Sequence, residues 1–577
     1  MASFCRKPKL LSYLQGILEI VNITSYTQRH ERNLEKIRAL LVNPADRICY
    51  EKNIWNLGVI DNIDFKEATF GYGNIFDVTR GNSHATLRML FQFQLSDKLP
   101  NIIDETKENQ QIFGPNFFSL QTLNVFNSVF KKLLKYDKNT LMHCSDFDEN
   151  DIRNQIMLHF EVGCNFPPPN VIILNARDPP STDSAVHECL KMYLDEINIE
   201  DKYIHIAADE AIYRRDISYC KKNEKVKMIL DQWHTNKDMM SALITIFLGY
   251  GIFNMAGILG VRFLDKLEKG VDFRATSKVL ELIWVSVGIG INLYIEKNKQ
   301  TLDDIFKKNK IVKVWYLLKA FSPLFPVAGK SNYARLVSHH LYHIENDPQI
   351  RAILCMAPSV NLTSYGHFLA YDEALELFGV KFVKQNVTRI PTDKEELKLK
   401  IKATQLEKER TDMLICDYIN DSVQSSQPRH IQSRKVKIWE LAHLLVDAFE
   451  SANPFKHPIF EFCNNLNSQG IDKLFSAYDI GIKRLQRIVN QKILLTESYT
   501  TVGRRERNIT RVTVADINKM RKMKEGERRE DREIGRSRGK LRGRPRGRPR
   551  GRPRSRPRGR GRQRDINKGD EENAQSQ

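Results

Sequence analysis

Two apolar runs in this chain each stop on an aspartate: LGVID ends at Asp61 and IHIAAD ends at Asp209. A carboxylate closing a run of buried residues needs a partner or a purpose, because unpaired charge is costly to bury. Two further acids, Glu373 and Glu376 in YDEALE, lie on a helical pattern further along. One acid on a first strand, one after a later strand and one on a helix is the set that holds two Mg²⁺ ions for in-line attack on a phosphodiester. The competing assignment is structural, since an Asp at a strand end also caps the helix that follows, as Asp209 can before EAIYRR. Asp64 and Glu210 stand beside these positions and compete for the same roles.

Three other motifs invite chemistry. QWHTNKD places His234 and Lys237 three apart on one helical face. HHLYH offers His339, His340 and His343 at helical spacing, but without HExxH or a cysteine pair a helix carrying imidazoles outweighs a zinc site. AGKS at Ala328–Ser331 has Leu324 where a phosphate loop needs glycine, which excludes a nucleotide triphosphatase of that kind.

Near the C-terminus RGRP occurs three times in succession, with a serine-substituted fourth copy: Arg542, Gly543, Arg544, Pro545; Arg546, Gly547, Arg548, Pro549; Arg550, Gly551, Arg552, Pro553; then Arg554 and Arg556. Arginine seeks the negative potential of the A·T-rich minor groove. Glycine lets the backbone approach the groove floor, and proline keeps the path extended. These residues resemble the AT-hook, a minor-groove DNA-binding motif centred on Arg-Gly-Arg-Pro, over Arg542 to about Gly561. Three abutting cores span about 37 Å at ~3.1 Å per residue, roughly one duplex turn of ~34 Å, so one continuous arm is favoured over three separate hooks. The resemblance implies AT-rich duplex DNA as partner and a nuclear location; RNA is the alternative partner for a nonspecific basic tail.

The net charge of +20 belongs to that end of the chain. Residues Arg504 to Arg564 hold 26 Lys/Arg against 7 Asp/Glu, a net of +19; residues 565–577 contribute −3, leaving +4 for residues 1–503. Nine scattered cysteines without a CxxC point to reduced thiols. The uncharged run Ala242 to Val261 has the length of a membrane span but contains four glycines, an Asn and a Tyr, so buried core helices are expected instead.

The pattern of elements predicts an α/β fold. Residues 1–50 read as a helical segment and 51–224 as an α/β core, within which PNVIILNARD, DSAVHECLKMYLDEI and KYIHIAAD form a β–α–β unit whose usual outcome is a parallel strand pair. Residues 225–320 read as a helical insertion, 321–420 as helical completion of the core, 421–436 as a polar linker, 437–498 as a helical block and 499–577 as a disordered basic tail.

VIDNIDF with HATLRMLFQFQ, IHIAADEAIYRR, QWHTNKDM, GVRFLDKLEK and PVAGKSNYAR together resemble an uncharacterised, multi-copy fungal domain family of transposon-derived appearance, over roughly residues 50–495. The resemblance brings no established activity. The spacing of Asp61, Asp209 and Glu373 or Glu376 suits a ribonuclease-H-like transposase core, a mixed sheet with a large helical insertion between its second and third acids. The sequence thus favours a DNA-binding protein derived from a mobile element and acting through its C-terminal arm. The rival readings are an active Mg²⁺-dependent transposase or nuclease, and an RNA-binding or scaffolding protein.

Overall fold

A computed structural model describes residues 43–65, 83–96, 112–137, 142–159, 168–197, 203–270, 272–297, 314–360, 369–387, 394–405, 428–494 and 513–539, with isolated helical positions at 18, 33 and 37. Five strands form one open mixed sheet: β1 Ile54–Phe65, β2 Ser83–Gln94, β3 Asn170–Ile173, β4 Ile204–Ala208 and β5 Val226–Leu230, in the order β3-β2-β1-β4-β5. β1 pairs antiparallel with β2 and β2 with β3, whereas β1–β4 and β4–β5 are parallel. β3 and β4 therefore point the same way, but β2 and β1 lie between them. The expected β–α–β unit exists, and its two strands are not neighbours because the long β1–β2 hairpin occupies the centre of the sheet.

Both faces of the sheet are covered. On one side Ile60, Leu90, Ile172 and Ile206 pack against helices α3 (Asp183–Ile197) and α4 (Glu210–Cys220) through Val186, Leu190, Tyr193 and Ile212. Gly58 permits this fit, since a β-carbon there would lie 3.0 Å from the Tyr193 ring, whose hydroxyl reaches the Val59 and Met89 carbonyls. On the other side Val59, Leu87, Met89, Ala207 and Ile229 meet α7 (Ser331–Asn346) and a helical rod made of α8 (Tyr371–Ala374), a π-helical turn (Leu375–Val380) and α9 (Lys381–Asn386). The strands show near-continuous burial, which is the pattern of a sheet covered on both faces.

A second core lies among α1 (Phe117–Leu134), α2 (Glu149–Met157), α6 (Phe273–Lys297) and α10 (Pro428–Glu450). α1 and α2 each begin with a capping box, at Asn116 and Asp148. Gly288 and Gly290 let α6 approach Phe130 of α1 and the backbone of α10 closely. The buried Glu149 carboxylate receives Lys278 at 3.2 Å and Arg434 at 3.0 Å, so one acid ties α2, α6 and α10 together. By length and composition α6 is apolar enough to cross a membrane, yet Val285 and Ile289 are buried in this core.

Three sequence expectations need correction. The helical insertion does not begin at 225, because residues 226–230 are β5; helices start only with α5 (Trp233–Phe247). The run Ala242 to Val261 forms buried helices, as expected: α5 and the helix Ile252–Ile258 meet at 92° around Gly251, whose φ of 105° suits glycine, and Ala242, Ile246, Phe253 and Ala256 are buried. The linker at 421–436 is helical from Pro428 onward, since its polar residues pair across the helical core, Arg434 with Glu149 and Lys435 with Asp146. The disordered tail expected from 499 contains a helix, α11 (Val514–Gly539), whose start Thr513 and Asp516 cap reciprocally. The chain divides into two compact units, residues 1–517 and 518–577, the second holding most of α11.

Candidate acidic site

Three neighbouring parallel strands lead into an acid in the same register. Ile60 of β1 faces Ala208 of β4, which faces Leu230 of β5, so Asp61, Asp209 and Asp231 follow side by side. The ladder continues into this row, as the Asp231 amide donates to the Ala208 carbonyl at 3.2 Å. Adjacent strands lie about 4.8 Å apart and alternate residues share a face. The row two residues earlier, Val59, Ala207 and Ile229, packs into the core beneath the rod, so the acids turn toward the rod as well. β1 runs four residues beyond Asp61, contrary to the expected strand end, because β2 continues to pair with it from Leu87 to Ser83.

The rod brings the third acid. Tyr371, Ala374 and Leu375 are fully buried, and Gly379 sits so close to β2 that an added β-carbon would lie 2.3 Å from Met89 Sδ and 2.9 Å from Leu87 Cδ2. Leu87 is the partner of Asp61 across the hairpin, so this contact holds the turn containing Glu376 over Asp61. Burial pushes the Asp61 carboxyl well above the usual range, and the charges of Asp209 and Glu376 push it the same way, against His234 and a hydrogen bond from the Asn62 amide. Asp61, Asp209 and Glu376 therefore converge. Glu373 is raised by burial and by Asp372 but lowered by Arg274, and it is not among the charges that bear most on Asp61. Of the two glutamates, Glu376 is the one whose charge bears on Asp61. A π-helical turn at this position widens the helix where the acid is needed, a placement typical of functional sites.

Asp209 also does what its competing assignment requires: its Oδ1 accepts from the Ile212 amide at 2.8 Å and caps α4. Capping and convergence with Asp61 coexist in one side chain. Asp64 is drawn away by His84 across the hairpin at 2.5 Å, and burial, which would raise its carboxyl, is overcome by hydrogen bonds from His84 and Asn62. Glu210 pairs with Arg214 one turn on, at 3.4 Å.

Beside the converging acids, His234 sits between two buried carboxylates, its Nδ1 2.7 Å from Asp231 and 3.1 Å from Asp372. Burial alone would lower the pKa of His234; hydrogen bonds and charge from both acids overcome it and push it up to about 11. Asp372 accepts from the Trp233 and His234 amides at 3.0 Å, capping α5 from the rod because Gln232 supplies no side-chain cap. Asp372 thus stays below the usual carboxylate range, despite a burial penalty, through His234 and those amides. Among the described residues these three are the group whose ligand atoms lie close enough together, within 4.8 Å, to hold a metal ion. Their hydrogen-bond spacing suits an imidazolium shared by two carboxylates equally well.

The other motifs resolve into packing. His339 and His340 are buried, which lowers both to about 3, and His340 Nδ1 accepts from the Leu230 amide at 3.3 Å, joining α7 to β5. Lys330 pairs with Asp238, and Gly329 follows the helix Leu324–Val327, not a strand. Lys237 is exposed beside Trp233. The arm residues Arg542 to Arg556 lie outside the described residues.

Sequence reading misses Asp231 and Asp372. VKMILD carries the same signal as LGVID and IHIAAD, an apolar run closed by Asp, but it falls in a segment that reads as helical. Asp372 immediately precedes Glu373, which draws the eye first.

No family model, curated protein or solved structure matches this chain.

Proposed function

We propose that the chain is a DNA-processing protein of mobile-element origin, with a ribonuclease-H-like body that cleaves or transfers phosphodiesters at Asp61, Asp209 and Glu376 using Mg²⁺. The observation that carries this reading is the convergence of those three acids beside the carboxyl end of β4, in a sheet ordered β3-β2-β1-β4-β5 with only β2 reversed. The fit to a divalent cation rests on charge: the strongest opposing charge on Asp61 is a single imidazolium, His234, against two further carboxylates. When bound, the metal supplies Lewis acidity at the phosphoryl oxygens and an activated water. The chain's own part is positional. Adjacent strands fix Asp61 and Asp209, the cap on α4 fixes the Asp209 rotamer, and Gly379 seats the turn that carries Glu376. His234, held by Asp231 and Asp372, places a positive charge beside the acids.

The arginine arm gives the body its substrate. Its RGRP repeats support binding in the minor groove of AT-rich DNA and a nuclear location, and the segment around them carries nearly all of the net charge. The deciding experiment is Mg²⁺-dependent cleavage of end-labelled AT-rich duplex by wild type and Asp209→Asn. Asparagine caps helices as well as aspartate, so the variant keeps α4 and removes the charge. Wild-type cleavage that Asp209→Asn abolishes supports the reading; no cleavage by folded wild type reduces the chain to a DNA-binding protein.

A further inference from the structure

Around the acids, the surface carries cations that close no ion pair among the described residues. Lys237, Arg274 and Lys384 are exposed and make no ion pair among the described residues, whereas Lys278, Lys319 and Lys330 each hold a carboxylate. Lys237 and Arg274 border the aromatic pair next to His234. Lys237 lies one turn past His234, with its Nζ 5.7 Å from the Trp233 ring centre. Arg274 is close enough to Glu373 for its charge to favour the anion, and Lys384 stands in the same relation to Asp64. Beside Lys237 and Arg274 are two half-buried aromatic rings: Trp233 meets Phe273 edge-on at 5.4 Å, and Trp233 also meets His234 at 4.7 Å.

Unpaired cations interleaved with aromatic rings at the mouth of a phosphodiester site match the two demands of a single strand, whose phosphates need positive charge and whose bases need stacking faces. A paired duplex covers its base faces and uses only the cations. We propose that this rim binds an unpaired nucleotide of the strand entering the acidic site, with its base on Trp233 and Phe273 and its flanking phosphates on Lys237 and Arg274. The assignment rests on the phosphodiester reading of Asp61, Asp209 and Glu376.

Photocrosslinking of the full-length protein in EDTA tests it locally, without interference from binding by the arm. The probes are a single-stranded oligonucleotide with 5-iodo-2′-deoxyuridine replacing thymidine, the same strand in a blunt duplex, and an RNA version with 5-iodouridine; crosslinked peptides are mapped by mass spectrometry. A crosslink at Trp233 or Phe273 that is several-fold stronger for an unpaired strand is expected, and the DNA and RNA arms identify which strand the rim prefers. In Lys237→Gln/Arg274→Gln the salt dependence of that crosslink should weaken, by about 0.7 in log–log slope for each single-strand phosphate no longer neutralised. Asp209→Asn should retain the crosslink. Crosslinks confined to residues 514–577, or equal yields from blunt duplex, would overturn the proposal. A Trp233 crosslink without Mg²⁺-dependent cleavage leaves the rim standing and defeats the catalytic reading; cleavage without the crosslink does the reverse.

Discussion

Replacing Gly379 by alanine should destabilise the fold and disable the site, although in an ordinary helix the same change stabilises by about 0.5–1 kcal/mol. The added β-carbon would lie 2.3 Å from Met89 Sδ and 2.9 Å from Leu87 Cδ2. Favourable carbon contacts begin at about 3.5 Å, so the rod must lift or the β2 side chains must move by roughly an ångström. Met89 and Leu87 are both fully buried in a close-packed core, and overpacking of that kind costs about 1–3 kcal/mol. The net expectation is a loss of up to about 2 kcal/mol once the propensity gain is subtracted. Urea unfolding followed by fluorescence measures it, and the double variant with Met89→Ala gives the coupling, which should be about 0.5–3 kcal/mol for side chains that touch. Cleavage should fall further than stability, because the same displacement carries Glu376 away from Asp61. A variant as stable as wild type, with effects additive to those of Met89→Ala, would refute the close approach of rod and sheet.

His234→Gln should lower stability at neutral pH and remove part of its pH dependence. With a folded pKa of about 11 and an ordinary value of 6.5, His234 contributes stability that is complete below about pH 6.5 and lost as pH rises toward 11; urea midpoints from pH 6 to 10 should show the wild type falling more steeply than the variant. Asp372→Ala removes both the remote cap of α5 and a carboxylate from His234, so its destabilisation should exceed the ~1 kcal/mol of a helix cap alone, again read by urea midpoint. For the arm, competition among AT-rich duplex, GC-rich duplex and RNA should favour the first, and Gly543, Gly547 and Gly551 changed together to Ala should erase that preference. Equal binding to all three ligands would leave only a nonspecific polycation.

Much of the site is legible in the sequence because apolar runs closed by an acid are rare enough to notice. Asp61 and Asp209 stand out in that way, and both sit in the observed row. The third strand of that row, VKMILD, reads as part of a helical stretch because five residues of mixed Lys, Met and aliphatic character have no distinct strand period, and only pairing with β4 fixes them. Helical spacing cannot decide between Glu373 and Glu376, since the choice depends on Gly379 touching β2 and on the π-helical turn that shifts the face by one residue. Strand order is equally hidden: the β–α–β pattern is local, whereas the insertion of β1 and β2 between β3 and β4 is a property of the whole sheet. The helix beginning at Val514 announces itself through Thr513 and Asp516, a capping signal overshadowed by the arginines after it.

Which carboxylates the proposed phosphodiester chemistry needs is the central question for this protein. Mg²⁺-dependent cleavage of one labelled AT-rich duplex should be compared across wild type, Asp61→Asn, Asp209→Asn, Glu376→Gln and Glu373→Gln, with binding of the same duplex measured in EDTA. The prediction is that the first three substitutions abolish cleavage, Glu373→Gln retains it, and all five proteins bind alike. Cleavage by Glu376→Gln, or its abolition only in Glu373→Gln, would contradict the site described.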